Sequence, residues 1–333
     1  MRRTLLFALL LASAAGSARA QRQVEDTTFA ATVAKPAFTT RHPVVMIDEA
    51  HRDDFSIRRR YSALAALLTL DGLRVVPGAQ QFSPQLLKSC DVLVVADAVG
   101  PGDPKSPSAR LSAFLPSECD AVRDWVSGGG ALLLIADHAP FASAMDSLAV
   151  RFGVDMGKGY TVDTRRVDPE TGNIGCLLFT RELHMIGDHA ITRGRDRGER
   201  ISRVATYTGQ SLLGPPGSTG LLVLSPSAAD LPFSPDARRE ATPEARRRAD
   251  TLNVVKTPGA VTAVGRFQGV AFGFGRGRVV ALGEAAMFGS QFVLGQDASR
   301  MGRDRLRIGL NRPDLDNRQF ALNVVRWLAR ALD

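Results

Sequence analysis

The sequence predicts an α/β fold built on a mostly parallel β-sheet that helices cover on both faces. In the first half of the chain, short runs that are apolar throughout alternate with segments whose apolar residues recur at helical spacing. Strands that are apolar on both faces are typical of parallel sheets, because helices bury both sides of such a sheet. The four clearest predicted strands are residues 43–48, 73–76, 91–97 and 131–137.

Capping and turn residues predict further elements. Ser117, followed three residues later by Asp120, is typical of a capping box and predicts a helix that begins at Ser117. Residues 268–274 and 278–282 flank a glycine-rich turn and predict a β-hairpin. A closing amphipathic helix is expected from about Asn317.

The first 20 residues predict a signal peptide rather than a part of the fold. Arg2 and Arg3 precede an apolar run at 5–15 that is too short to span a bilayer, and Ala18-Arg19-Ala20 is a small-x-small cleavage site. Cleavage after Ala20 leaves a mature chain that begins at Gln21. The predicted localisation is therefore the periplasm or the medium, and no stable membrane anchor is expected.

The mature chain is predicted to hold one domain. Residues 21–41 lack periodicity and are expected to form a flexible lead-in, and residues 42–333 are expected to form a single α/β domain. A stretch rich in Pro, Ala and Arg near 226–251 predicts a surface insertion in that domain.

Charge and cysteine content exclude several classes of partner and site. The formal net charge is +8, and 37 of the 42 basic residues are arginines spread along the whole chain. Because these arginines form no basic blocks interleaved with aromatic residues, no nucleic-acid partner is expected. Cys90, Cys119 and Cys176 are an odd set with wide spacings, which predicts neither a disulfide framework nor a zinc site. Cys119 and Cys176 are expected to be small core residues.

Polar residues follow several predicted parallel strands at the point where each strand ends. In chain order these residues are Asp48, Glu49, His51, Asp97, Asp137, His138 and Glu284. Since the carboxyl ends of parallel strands meet at one edge of a sheet, their side chains are expected to converge. Such a group suits an acid/base pair or a hard-metal site. The alternative is that the three aspartates cap the helices or loops that follow their strands.

Several motifs, in their order along the chain, resemble one superfamily. They are Gly128-Gly129-Gly130 leading into residues 131–138, residues 188–194 (Asp-His-Ala-Ile-Thr-Arg-Gly), residues 275–280 followed by Glu284, and residues 317–327. This pattern resembles the class I glutamine amidotransferase-like superfamily, including ThuA-like proteins and exported members, over roughly residues 42–332. The resemblance implies a flavodoxin-like three-layer sandwich with a mostly parallel sheet.

The chain departs from that superfamily at the catalytic cysteine. The glutaminases of the superfamily carry this cysteine on a sharp turn after a strand, and here Asp137-His138-Ala139-Pro140 occupies that turn. A glutamine-hydrolysing thiolate is therefore excluded at that position. For relatives without the cysteine, such as the intraflagellar-transport and gliding-motility branches, the resemblance implies saccharide binding.

Two functions from different classes follow. The first is an exported binding domain for a saccharide or cell-wall fragment, with candidate ligand-binding residues Asp48, Glu49, His51, Asp97, Tyr207 and Gln210. In it, Tyr207 is expected to offer a stacking face. The alternative is a hydrolase that uses Asp137, His138 and Glu284 as an acid/base or metal site. No cofactor is predicted, a divalent metal belongs to the hydrolase alternative, and the oligomeric state stays open.

Overall fold

The structure is a computed structural model that describes residues 22–52, 54–103, 105–232, 259–295, 298–299 and 301–333. The predicted signal peptide and most of the predicted insertion near 226–251 lie outside the described residues. Among the described residues, no helix combines the length and the apolar character needed to cross a membrane.

A mixed sheet of nine strands forms the centre of the molecule. Five neighbouring strands are parallel, in the order β3, β2, β4, β5, β15. Their bounds are β2 Val44–Asp48, β3 Arg74–Gly78, β4 Val92–Ala96, β5 Ala131–Ile135 and β15 Gly277–Leu282. The antiparallel strands that continue the sheet beyond β15 are β14 Phe267–Phe274, β10 Leu212–Leu213, β6 Asp155–Met156 and β11 Thr219–Val223.

The predicted parallel strands and the hairpin are confirmed. Residues 267–274 and 277–282 pair as adjacent antiparallel strands around a tight turn. The strands are buried on both faces, as their continuous apolar runs predicted. In β2, for example, Val45 and Ile47 join one hydrophobic cluster while Met46 joins the cluster on the opposite face. A mixed α/β architecture with a sheet covered on both sides follows from this alternation.

Six α-helices and four short 3₁₀ turns lie around the sheet in the described part of the chain. The helices are α1 Ser62–Leu70, α2 Pro84–Leu87, α3 Pro116–Ser127, α4 Phe141–Ala149, α5 Ala190–Arg193 and α6 Asn317–Leu328. The 3₁₀ turns are Pro107–Arg110, Val150–Phe152, Arg197–Glu199 and Ala286–Phe288. Helices α1 and α6 pack on one face of the sheet, and α3 and α4 pack on the other. The predicted closing helix from Asn317 is α6.

Helix α3 begins earlier than its sequence predicted. It starts at Pro116, and Glu118, rather than Asp120, turns back so that its Oε2 accepts the backbone N–H of Leu115 at 2.9 Å. A proline is favoured in the first helical turn because its missing N–H would have no partner there. Asp120 instead accepts hydrogen bonds from Arg123 and Arg151 on the helix surface.

Three small sheets complete the fold. Their strands are β1 Arg22–Glu25, β16 Ser290–Leu294 and β17 Arg305–Gly309 in one, β7 Tyr160–Val162, β12 Ala229–Leu231 and β13 Val261–Thr262 in another, and β8 Cys176–Thr180 with β9 Arg203–Tyr207 in the last. The lead-in expected to be flexible contributes β1, which pairs with β16 in antiparallel register. The four residues of β1 form a strand by pairing with β16, which is distant in sequence. Their own sequence pattern therefore did not predict a strand.

Candidate functional site

Three carboxyl groups lie together at the edge where the parallel strands end. Asp97 directly follows β4, while Asp137 and Glu284 each stand two residues beyond the ends of β5 and β15. These three strands are neighbours in the sheet. We call Asp97, Asp137 and Glu284 the carboxyl cluster. The sequence predicted this convergence from strand ends alone.

A chain of backbone hydrogen bonds holds the cluster together. The N–H of Asp137 donates to Oδ1 of Asp97 at 2.7 Å, and the N–H of Ala285 donates to Oδ1 of Asp137 at 2.8 Å. Glu284 accepts the N–H groups of Ala286 and Met287 at 2.6 and 2.8 Å. Asp137 therefore lies between Asp97 and the chain segment that carries Glu284.

The backbone at Asp97 is unusual. Its φ of 53° is in the left-handed region, which few residues other than glycine adopt, although Asp and Asn do so more readily than most. Its N–H donates to the carbonyl of Ile135 on the neighbouring strand. At this turn the Asp97 carboxyl accepts a hydrogen bond from the backbone N–H of Asp137.

Burial changes the proton affinity of the cluster. Asp97 and Glu284 are buried, whereas Asp137 as a whole residue is half-buried. Burial raises the pKa of Asp97 and of Asp137 well above the usual range, and the charge of the neighbouring carboxyl group raises each further. Burial also raises the pKa of Glu284 to about 8, although its two backbone N–H donors oppose the shift. All three carboxyl groups therefore hold a proton more tightly than exposed carboxyl groups do.

Arg60 supplies the positive charge that faces this cluster. Its guanidinium lowers the pKa of both Asp97 and Asp137, against the effect of burial. Nη1 of Arg60 donates to Oε1 of Gln23 at 3.0 Å and to Oε1 of Gln291 at 3.4 Å. Sequence reasoning missed Arg60, because it stands before α1 in a run of three arginines and nothing in that run distinguishes it.

His138 extends the site on the side of β7. Its Nδ1 lies 2.7 Å from the carbonyl oxygen of Ala139, and because a carbonyl only accepts, Nδ1 carries the hydrogen. The imidazole ring lies against the ring of Tyr160, with centroids 3.9 Å apart. The residue that follows Asp137 in the chain therefore belongs to a pair of aromatic rings in contact, with 37° between their planes.

Asp48 and His51 form a separate buried group. Nδ1 of His51 lies 2.8 Å from Oδ2 of Asp48, and Nε2 lies 3.0 Å from Oε1 of Glu118. The imidazole sits between the rings of Phe82 and Phe114. Burial by itself lowers the pKa of His51, but the two carboxylates outweigh it and raise that pKa above its usual value. The sequence did not reveal Glu118 as the second partner.

Three further candidate ligand-binding residues serve the fold. Both ends of the Gln210 amide bond the backbone, with Oε1 accepting the N–H of Lys158 and Nε2 donating to the carbonyl of Ala136. The expected stacking role of Tyr207 is wrong, because its ring is only 2% exposed and offers no face to a ligand from solvent. Glu49 is half-buried, and its Oε1 accepts the N–H of Ile57 at 2.9 Å.

The cysteines lie away from the turn that follows β5. All three are buried, and burial raises the pKa of Cys119 and raises that of Cys90 to about 12. Within the described ranges, no three side chains of His, Cys, Asp and Glu are arranged to hold a metal ion.

Comparisons with known proteins show a likeness of fold. No protein-family model and no curated protein matches the chain. The N-terminal domain of mmIFT52 is similar with a TM-score of 0.54 and 12% identity, over 86% of this chain and 96% of that one. A cytoplasmic protein from Salmonella typhimurium has a TM-score of 0.44 and 11% identity, over 86% of this chain and 98% of that one. A ThuA-like protein from Bacteroides uniformis has a TM-score of 0.37 and 11% identity, over 90% and 94%.

The likeness to the mmIFT52 domain shows a shared α/β fold. At this level of identity it carries no residue roles from one protein to the other.

Proposed function

We propose that this chain is an exported, amidotransferase-like domain that binds a hydroxyl-rich ligand, a saccharide or a cell-wall fragment, at the carboxyl cluster. One observation carries the proposal: three carboxyl groups converge at the ends of neighbouring strands, and Asp137 is half-buried while Asp97 and Glu284 are buried. A protonated carboxyl donates a hydrogen bond and a carboxylate accepts one. Because each sugar hydroxyl both donates and accepts, it can pair with a carboxyl group in either form.

The surroundings of Asp137 support the same ligand class. The rings of His138 and Tyr160, which lie against each other at an angle of 37°, provide aromatic surface at the residue that follows Asp137. Ligand sites of this kind combine apolar walls with a few polar groups that fix orientation. We therefore propose that His138 and Tyr160, rather than Tyr207, provide the aromatic contact with the ligand.

The strand order supports a flavodoxin-like assignment. Numbered along the chain, the five parallel strands lie in the order 2-1-3-4-5, which is the order of flavodoxin-like sheets. In such sheets ligands bind outside the carboxyl ends of the strands, where the carboxyl cluster lies. The burial of all three cysteines, together with the raised pKa of Cys90 and Cys119, supports the proposal that the chain has no glutaminase thiolate.

A binding screen on the mature chain tests this function. We expect at least one saccharide of a panel of cell-wall and plant oligosaccharides to bind in isothermal titration calorimetry, and Asp137→Asn to weaken that binding at least tenfold. Glu182→Gln, at an exposed acid, is the matched control and leaves binding unchanged. Binding that survives Asp137→Asn, or no binding to any member of the panel, contradicts the proposal.

A hydrolase is the second candidate, and the pKa of Glu284 near 8 favours it. A carboxyl that is protonated at neutral pH, close to a second carboxyl of a half-buried residue, suits general acid and base roles. In this mechanism the ionised form of Asp137 takes a proton from a water whose oxygen bonds the sugar carbon. The bond from that carbon to the leaving-group oxygen breaks, and that oxygen receives the proton of Glu284. Release of new reducing ends from a bound oligosaccharide, lost in Glu284→Gln while binding persists, would favour the hydrolase over the binding domain.

Export has its own test. We expect protein recovered from the periplasm or medium of a producing cell to begin at Gln21, as intact-mass measurement would show. An intact Met1 in exported material contradicts the proposed cleavage site, without bearing on the ligand.

A further inference from the structure

A second cavity lies apart from the carboxyl cluster and shares no residue with it. Its volume is about 400 Å³, and its walls are residues 32–35, the turn at 196–199 and the N-terminal half of α6 with the loop before it. Small-molecule sites in proteins are commonly of about this size or larger. All of its lining residues belong to the described part of the chain.

Most charged groups around this cavity are paired. Arg326 bonds both oxygens of Asp71 at 2.8 and 2.6 Å and also bonds Glu199. Arg312 bonds both oxygens of Asp168 in the same way, at 2.9 and 3.1 Å. Buried cations of this kind are stabilised by their carboxylate partners and are already neutralised.

Arg318 differs from these cations. Its guanidinium donates to Oγ1 of Thr32 at 3.1 Å and to the carbonyl of Leu310 at 3.3 Å, and it lies over the ring of Phe29. Both hydrogen-bond acceptors are neutral, and among the described residues no carboxylate forms an ion pair with it. Burial lowers the pKa of Arg318. Asp316 lines the same cavity, but its carboxylate accepts the backbone N–H groups of Ser202 and Arg203.

The position of Arg318 along its helix also disfavours its positive charge. It is the second residue of α6, a helix of 12 residues, where the helix dipole disfavours a cation. An oxyanion bound in the cavity would give Arg318 the ion pair that no described carboxylate makes with it. Two of the five guanidinium N–H groups bond Thr32 and Leu310, which leaves donors for an oxyanion.

The apolar walls of the cavity define the remainder of the ligand. Val33, Leu315 and Leu322 line it beside Arg318. We propose that this cavity binds a small organic anion, whose carboxylate or phosphate pairs with Arg318 and whose apolar body packs against these walls. Carboxylate and phosphate share the planar or forked oxygen geometry that a guanidinium recognises. This site is independent of the function proposed for the carboxyl cluster.

The test compares isosteric probes on the mature protein by isothermal titration calorimetry. We expect benzoate or phenyl phosphate to bind and benzamide, which has the shape of benzoate without its charge, to bind at least tenfold more weakly. The stronger of the two anions identifies the oxyanion. Failure of both anions to bind, or binding of benzamide equal to that of benzoate, overturns the proposal.

Variants tie this binding to Arg318. Arg318→Met removes the charge and keeps the length of the side chain, and it should weaken anion binding at least tenfold. Arg307→Met, at an exposed arginine of β17, is the matched control and should leave binding unchanged. If circular dichroism shows that Arg318→Met does not fold, Arg318→Lys replaces it, since lysine keeps the charge but loses the forked donor geometry and should bind more weakly. Unchanged anion binding in the folded variant overturns the assignment.

Discussion

Asp97 and Asp137 are joined across the ends of two neighbouring strands by a hydrogen bond of 2.7 Å from the backbone N–H of Asp137 to Oδ1 of Asp97. This bond fixes the turn after β5 and uses one oxygen of the buried carboxyl. Asp97 is buried, whereas Asp137 is half-buried. The two residues have the same side chain, and they differ in burial.

Asp137→Asn should separate stability from ligand binding. An asparagine Oδ1 can still accept the N–H of Ala285, and the change removes the repulsion that raises the pKa of Asp97. We expect the free energy of unfolding to stay within about 1 kcal/mol of the wild type or to rise, as is common where a functional site holds like charges. Urea unfolding at pH 7 measures this. A loss of more than about 2 kcal/mol would instead make Asp137 a structural cap.

Glu284 should make the protein less stable as the pH rises. Its folded pKa of about 8 lies above the ordinary value of 4.5, so between these values the folded state holds a proton that the unfolded state has released. Stability therefore falls as the pH increases from about 4.5 to about 8. Asp97 and Asp137 shift in the same direction and add to the effect. Urea midpoints measured at several pH values from 5 to 8 report the slope.

Glu284→Gln should flatten this slope while lowering stability at pH 5. The amide leaves one of the two N–H groups, of Ala286 or Met287, without an acceptor, at a cost of about 1–3 kcal/mol. Glu182→Gln, at an exposed acid, should change neither the slope nor the stability. An unchanged slope in Glu284→Gln would show that other groups titrate in this window.

The pKa values of two histidines should be shifted in opposite directions from the ordinary imidazole value. Asp48 and Glu118 hold the pKa of His51 above 6.5, whereas burial and the charge of Arg193 lower the pKa of His189 to about 4. Nuclear magnetic resonance of labelled imidazoles should show His51 protonated at pH 6.5 and His189 neutral at pH 5. Equal titration of the two rings would contradict the paired geometry at His51.

Arg326→Met should be among the most damaging substitutions in the chain. The change leaves Asp71 as a buried carboxylate without its cation, although Glu199 keeps its ion pair with Arg195, and the loss costs about 3–5 kcal/mol of unfolding free energy. Arg330→Met, at an exposed arginine just after the end of α6, is the matched control and should cost about 0.5 kcal/mol or less. A loss below about 1 kcal/mol in Arg326→Met would show that these carboxylates find other partners.

The three cysteines should be slow to react in the folded protein. Burial holds the pKa of Cys90 at about 12, so its reactive thiolate is scarce at neutral pH. We expect a disulfide reagent such as dithionitrobenzoate to modify the thiols only after unfolding in urea. Rapid modification of one thiol in native buffer, with loss of ligand binding, would point to a functional cysteine.

Much of the architecture could be predicted because local patterns encode it. The apolar runs of β2, β4 and β5 reveal strands buried on both faces, and their parallel direction follows from the helices between them. The carboxyl cluster was predictable for the same reason. Strand ends at Asp97, Asp137 and Glu284 fall on one edge of any such sheet, whatever the details of packing.

Other parts of the site depend on contacts that no spacing announces. Nε2 of His51 lies 3.0 Å from Oε1 of Glu118, which is 67 positions further along the chain and belongs to α3. Gln210 is occupied by the backbone of Lys158 and Ala136, although its sequence context resembles an exposed turn. Tyrosine combines an apolar ring with a polar hydroxyl, so the sequence did not indicate that Tyr207 is buried. Such partnerships are decided by tertiary packing, which a linear pattern does not contain.

The first strand of the fold ties together the two ends of the chain. β1 begins at Arg22, two residues after the proposed cleavage site, and its partner β16 lies close to the other terminus. During synthesis on the ribosome, β1 cannot pair with β16 until nearly the whole chain has been made, because closing so long a loop requires both of its ends. A peptidase that acts during export would therefore meet the Ala20–Gln21 bond before β1 docks. Removal of the leader and completion of the fold would then follow in a fixed temporal order.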